Sequence, residues 1–147
     1  MQPGHVITVR EGLPSDLWDL VAADEYARAH PERAEFIRES IAQGECLIAE
    51  TGGQVAGFIV LNYSFFGFGF IPLVVVTAGL RRRGIALRLL GEVQVRCTSR
   101  KLFASASSTN AAAQALFARA GFDRSGFIEN LDEEGPEIVF CKGSGEA

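Results

Sequence analysis

The sequence predicts an α+β (mixed α/β) fold: a central, mostly antiparallel, twisted sheet of about seven strands flanked by about four helices. Three observations lead there. Short runs rich in β-branched and aromatic residues alternate with stretches whose apolar positions recur at helical spacing. Gly, Pro and Asp clusters punctuate the boundaries, and no internal repeat is visible. With 147 residues, 48% of them hydrophobic, and a net charge of −4, the chain can bury a core as a single domain over 1–147 without staples. Residues 143–147 read as a short tail.

Val6–Arg10 reads as a short strand. Asp16, with Asp19 three residues on, resembles a helix N-cap, and Leu17, Leu20 and Val21 mark one apolar face through about Tyr26. Pro31 suits the first turn of a second helix, whose buried side is Phe36, Ile37 and Ile41 and which Gly44 ends. Cys46–Glu50 and Val55–Tyr63 are strands around the turn Thr51-Gly52-Gly53-Gln54, and Phe68–Val76 is the next. From Gly84 to Arg96, Ile85, Leu89, Val93 and Cys97 recur every four positions, joined by Ala86 and Leu90. Leu102–Ser107 is a strand, Asn110–Ala120 a helix, and Phe122–Leu131 with Glu137–Cys141 a final antiparallel pair around the acidic turn 132–136.

Several function classes lose support. Gly67, Gly69 and Pro72 interrupt the best apolar run, Phe65–Val76, so no segment reaches the ~18–20 apolar residues of a membrane span. Met1–His5 lacks the pattern of a signal peptide. Cys46, Cys97 and Cys141 are odd in number, far apart and without metal-ligand spacing, as in a reducing cytoplasm. Nucleic acid binding has no support beyond one arginine cluster.

That cluster is the most informative part of the chain. Val74-Val75-Val76 runs into Arg81-Arg82-Arg83-Gly84, which opens onto the helix beginning Ile85-Ala86-Leu87. The first N–H groups of a helix have no partner inside it, and the helix dipole adds partial positive charge there. A phosphate satisfies those donors, and the arginines add attraction. Gly84 lets a ligand approach the backbone. No nucleotide P-loop run exists, and Gly67-Phe68-Gly69 is followed by Pro72 rather than by a helix that could complete a dinucleotide fingerprint.

Arg81-x-x-Gly84-x-Ala86 after a valine-rich strand resembles the acetyl-CoA signature of the GNAT N-acetyltransferase superfamily: Arg or Gln, two residues, Gly, one residue, then Gly or Ala. Downstream, Asn110-x-x-Ala113-x-x-Leu116-Phe117-x-x-x-Gly121-Phe122 resembles the family's later helix and the strand after it. The motifs stand in family order, and the resemblance covers most of the chain from Val55 onward. It implies a GNAT-like domain using acetyl-CoA as co-substrate, with no metal. It also implies a primary amine of a small molecule or peptide as acceptor and, as is common in such families, a homodimer; the cysteine usage adds a cytoplasmic location. The pantetheine arm would pair with backbone groups at Val74, Val75 and Val76. The pyrophosphate would rest on the amides of Arg82–Leu87, with Arg81, Arg82 and Arg83 steering it. Asn110 would orient the pantetheine, or cap its own helix; Phe117 lies in the same cofactor-binding motif. A main-chain N–H at Val75 or Val76 would hold the oxyanion as the amine attacks the thioester.

The chain departs from the family at two positions. Many members carry a proton-donating tyrosine seven residues after this asparagine; here it is Phe117. The branch that acetylates protein N-termini has a glutamate base five residues before it; here it is Ser105. Tyr63, near the end of the preceding strand, is the candidate replacement acid. Tyr26, Glu25 and His30 lie where the resemblance implies acceptor contacts. Strand alternation sends Phe66, Phe68 and Phe70 to one face, where they would favour a hydrophobic or aromatic amine. The alternative function is a non-catalytic acetyl-CoA-binding sensor or protein-interaction module.

Overall fold

The computed structural model describes residues 6–143. Its strands are β1 (Thr8–Glu11), β2 (Cys46–Thr51), β3 (Gln54–Phe65), β4 (Phe68–Val76), β5 (Lys101–Ser107), β6 (Asp123–Ile128) and β7 (Glu137–Gly143). Its helices are α1 (Leu17–Ala23), α2 (Glu25–Ala29), α3 (Pro31–Ala42), α4 (Ile85–Arg96) and α5 (Ala111–Arg119). The strands form one seven-stranded sheet in the order β1-β2-β3-β4-β5-β7-β6. The expected mixed α+β architecture is present, with five helices in place of four.

The extra helix comes from a break at Asp24. Its carboxylate accepts the Tyr26 N–H at 3.1 Å, which starts α2 and ends the single helix expected through Tyr26. Asp16 also departs from expectation. It stands at the N-cap position of α1, but its carboxylate is taken by the Leu13 N–H at 2.7 Å and by Arg10 at 2.9 Å, and it makes no cap bond. At the C-terminus, Gly143 closes β7 rather than opening the expected tail; 144–147, like the Met1–His5 segment read for a leader, lie outside the described residues.

The chain divides into two compact units, through both of which β3, β4 and α4 run. Unit 1 comprises 1–60 and 73–92. Its core joins Leu17 and Leu20 of α1, Ala27 of α2, and Ile37 and Ile41 of α3 to Cys46, Ile48 and Phe58 of the sheet, with Leu73 and Val75 packed against them. Apolar burial of this kind contributes about 25 cal/mol per Å². Cys46 is enclosed, and loss of water pushes its thiol up to about 12, so it packs as a small apolar residue. Arg10 ties β1 to both Asp16 and Glu50, at 2.9 and 3.0 Å.

Unit 2 comprises 61–72 and 93–147. Here β5 pairs in parallel with β4 from Gly69 to Ile71 and antiparallel with β7 along its whole length, Lys101↔Gly143 to Ser107↔Glu137. Phe117 of α5 packs on Phe122 and Phe140, with ring centroids 5.5 and 5.4 Å apart. β6 stops at Ile128 rather than Leu131, and its pairing with β7 shifts register between Arg124 and Phe127.

Candidate active site

The approach to α4 is built in unit 1. β4 ends at Val76, and Thr77 anchors the exit: its N–H donates to the Ala56 carbonyl at 2.9 Å and its hydroxyl to that of Val55 at 3.0 Å. Between them β3 and β4 approach closely, since a Cβ added to Gly57 would lie 2.5 Å from the Val75 carbonyl oxygen. Only glycine fits there, a constraint that sequence reading did not single out. Val74, Val75 and Val76 are half-buried.

The bend that follows uses left-handed backbone at Arg82 (φ 66°) and Gly84 (φ 78°). For a non-glycine residue that conformation is costly, so Arg82 marks a turn the rest of the loop imposes. Arg81, Arg82, Arg83 and Gly84 are all exposed, whereas the Ile85 side chain is 2% exposed and anchors α4 inward. Ile85 can therefore meet a ligand only through its backbone, while Ala86 and Leu87 remain half-open. Nothing lies within 4 Å of where a Cβ on Gly84 would stand. A cavity of about 300 Å³ lined by Ile7, Thr51, Arg83 and Ile85 opens at this helix start. The arrangement brings exposed positive charge to the start of a helix, a combination that suits an anion.

In unit 2, Asn110 caps α5: its side-chain oxygen accepts the Ala113 N–H at 3.0 Å. Phe117 is 2% exposed, its ring enclosed between Phe122 and Phe140. The Tyr63 phenol oxygen accepts from the Thr98 N–H at 3.0 Å and from the Thr98 hydroxyl at 3.2 Å. Phe66 leaves the expected strand face: it occupies the β3–β4 turn with φ 55° and is 87% exposed. Phe68 and Phe70 keep theirs. Phe68 meets Phe103, while Phe65 meets both Phe70 and Phe103. In unit 1, Tyr26 stacks on His30 at 3.6 Å with the Arg33 guanidinium 4.4 Å from its centroid.

Sequence reading also missed a carboxylate. The Ser105 hydroxyl donates to Glu137 Oε2 at 2.8 Å, joining β5 to β7. The two are 32 positions apart, and only the antiparallel register brings them together.

Residues 15–122 match the model of the acetyltransferase (GNAT) family, a span that runs through both units. The chain belongs to that family. Among solved structures, it resembles a GNAT-family acetyltransferase from Bacillus cereus at 33% identity and a TM-score of 0.89, covering 96% of this chain and 99% of that one. The ribosomal-protein-S18-alanine N-acetyltransferase of Escherichia coli shares 21% identity with a TM-score of 0.78, over 97% and 96% of the two chains. The Salmonella typhimurium protein yncA, solved with its cofactor acetyl-CoA, shares 18% identity with a TM-score of 0.69, over 96% and 95%. The last two likenesses are of fold. No curated protein sequence matches the chain. Among the described residues of this GNAT member, no helix is long and apolar enough to cross a membrane.

Proposed function

We propose that residues 1–147 work as one cytoplasmic acetyltransferase domain that moves an acetyl group from acetyl-CoA to a primary amine of a small molecule or peptide. The observation that carries this reading is the exposed left-handed bend at Arg82 and Gly84, opening directly onto α4 in a chain of the GNAT family. Such a bend aims main-chain donors outward and gives a diphosphate the partners the helix itself lacks.

Bound acetyl-CoA supplies an activated acyl group, and no metal is needed for its transfer. Backbone groups of Val74–Val76 hold the pantetheine arm as another strand would. The amides of Arg82–Leu87 receive the pyrophosphate, with Arg81, Arg82 and Arg83 drawing it in. A main-chain N–H at Val75 or Val76 meets the negative charge that develops on the acyl oxygen. Asn110 orients the cofactor segment while capping α5. Tyr63 is the candidate proton donor, because both of its bonds to Thr98 use the oxygen as acceptor. Phe66 and Phe68 in unit 2 and, separately, Tyr26 in unit 1 are the candidate acceptor contacts.

Phe117 favours a second reading. An enclosed ring with no proton to give suits a module that binds acetyl-CoA without turning it over, as a sensor or partner-contacting protein. Thiol release from acetyl-CoA across a panel of primary amines separates the two. Turnover on any amine supports the enzyme. Calorimetric binding of acetyl-CoA without turnover supports the sensor. No binding at millimolar coenzyme ends both. Within the panel, Tyr63→Phe turning over as fast as the wild type removes the acid assignment.

A further inference from the structure

Resting on the acetyltransferase reading, we propose that unit 2 carries the acceptor site, with Glu137 receiving a primary ammonium whose aromatic or aliphatic group lies on the Phe65–Phe68–Phe70–Phe103 cluster.

The placement follows from strand geometry. Successive residues of β5 alternate between faces, so Phe103 and Ser105 share one. Leu102, Ala104 and Ala106 are buried on the other, whereas Phe103 and Ser105 keep partial exposure. Ser105 donates to Glu137 at 2.8 Å, which sets that carboxylate on the face of Phe103. Two residues along a strand is about 7 Å. A carboxylate and an aromatic surface therefore stand one small organic amine apart. Ring centroids 4.8 to 5.7 Å from Phe103 make that surface continuous with Phe65 and Phe68, and Phe70 stacks on Phe65 at 5.3 Å.

Charge points to the same occupant. Glu137 is half-buried, and among the described residues it forms no salt bridge; its partner is a neutral hydroxyl. A half-buried carboxylate whose partner is a neutral hydroxyl keeps acceptor capacity for an ammonium. The loop preceding it forms an open cleft of about 650 Å³ lined by Glu129, Asp132 and Glu133, which raises the local concentration of cations. Aromatic faces add cation–π attraction for an ammonium and apolar contact for its substituent. Polyamines and aminoglycosides lack the apolar half of this match.

The proton inventory closes. The ammonium gives one proton to a Glu137 carboxylate oxygen, directly or through one water, and that proton later passes to solvent. The neutral nitrogen forms a C–N bond to the acyl carbon as the C–S bond breaks. The second proton leaves nitrogen and ends on the departing thiolate.

The test uses the full chain and 2-phenylethylamine. Calorimetry without coenzyme reads the site directly: Glu137→Gln should weaken amine binding about tenfold, as expected for a lost charge-assisted hydrogen bond. Glu137→Asp should restore part of it, which a purely structural role for the Ser105 bond would not predict. With acetyl-CoA present, Glu137→Gln should lower kcat about 100-fold, in the range of general base catalysis. Phe103→Ala should act mainly on KM. Equal amine affinity in the wild type and Glu137→Gln overturns the site. So does acetylation of spermidine with 2-phenylethylamine refused. Amine binding that depends on Glu137 without any thiol release upholds the site and overturns the acetyltransferase reading instead.

Discussion

Helices α4 and α5 begin in opposite ways. At α5 the chain closes its own end: Asn110 accepts from Ala113, the Ser107 hydroxyl accepts the Thr109 N–H at 3.1 Å, and Gln114 donates to the carbonyls of Ser107 and Ser108. At α4 the residue before the first helical position is Gly84, which has no side chain to fold back, and the three arginines preceding it are exposed. Both helices carry a dipole of the same sense, and any helix leaves its first N–H groups without a partner inside it. A self-capped start serves stability, whereas under the proposed function the basic, glycine-led start of α4 is the one that receives an outside anion. The start of α1 is a third case: a capping residue is present, but its carboxylate is committed to Arg10.

The sharpest way to break the comparison is to fill the open end. Gly84→Glu forces a side chain into φ 78°, a strain of roughly 1–2 kcal/mol, and sets a carboxylate against the incoming phosphates. No Cβ clash arises in the protein itself, so the cost to folding should be confined to that backbone strain, while the added charge acts on coenzyme affinity. Acetyl-CoA binding measured by calorimetry should weaken at least about tenfold. Unchanged affinity would remove the diphosphate from this bend.

The α1 case yields a stability effect of comparable size. The Arg10 guanidinium holds the Asp16 carboxyl below the usual carboxylate range, with the Leu13 N–H adding to it. Because the folded-state value is depressed, the stabilisation is fully present above the ordinary carboxylate pKa and is lost as pH falls through the folded-state value. Asp16→Asn should cost about 2 kcal/mol in urea unfolding at neutral pH, less than a deeply buried pair because Arg10 is partly exposed. The cost should shrink in acid. A constant difference down to the lowest pH at which the protein stays folded would contradict the assignment.

How legible these ends were depended on what each residue competes for. The β4 strand and α4 could be read directly, since a Val-rich run and a four-residue apolar repeat are local signals. The Asn110 cap was local too. Asp16 misled because its rival partner, Arg10, is six positions back on a strand, and nothing in the intervening residues announces the pairing. The break at Asp24 was hidden for a similar reason: its carboxylate serves Tyr26 and also Arg33, nine positions on. Alternation places Phe66 on a strand face because it takes no account of a two-residue turn. At the candidate site, the basic bend was plain, whereas Glu137 was not, because only the β5–β7 register places it beside Ser105.

The smallest expected effect separates the two roles given to Asn110. If the side chain acts only as a cap, Asn110→Ala should cost about 1 kcal/mol and lower Tm by a few degrees, with coenzyme affinity unchanged. Asn110→Asp keeps an acceptor oxygen for the Ala113 N–H and adds charge that the helix dipole favours, so Tm should hold. It removes the amide's donor, however, and with it any bond to a carbonyl of the pantetheine arm. Loss of acetyl-CoA affinity in Asn110→Asp at wild-type Tm would give the amide a contact beyond its own helix. Full affinity would make α5 a closed end in function as well as in geometry, and leave α4 as the end that reaches outward.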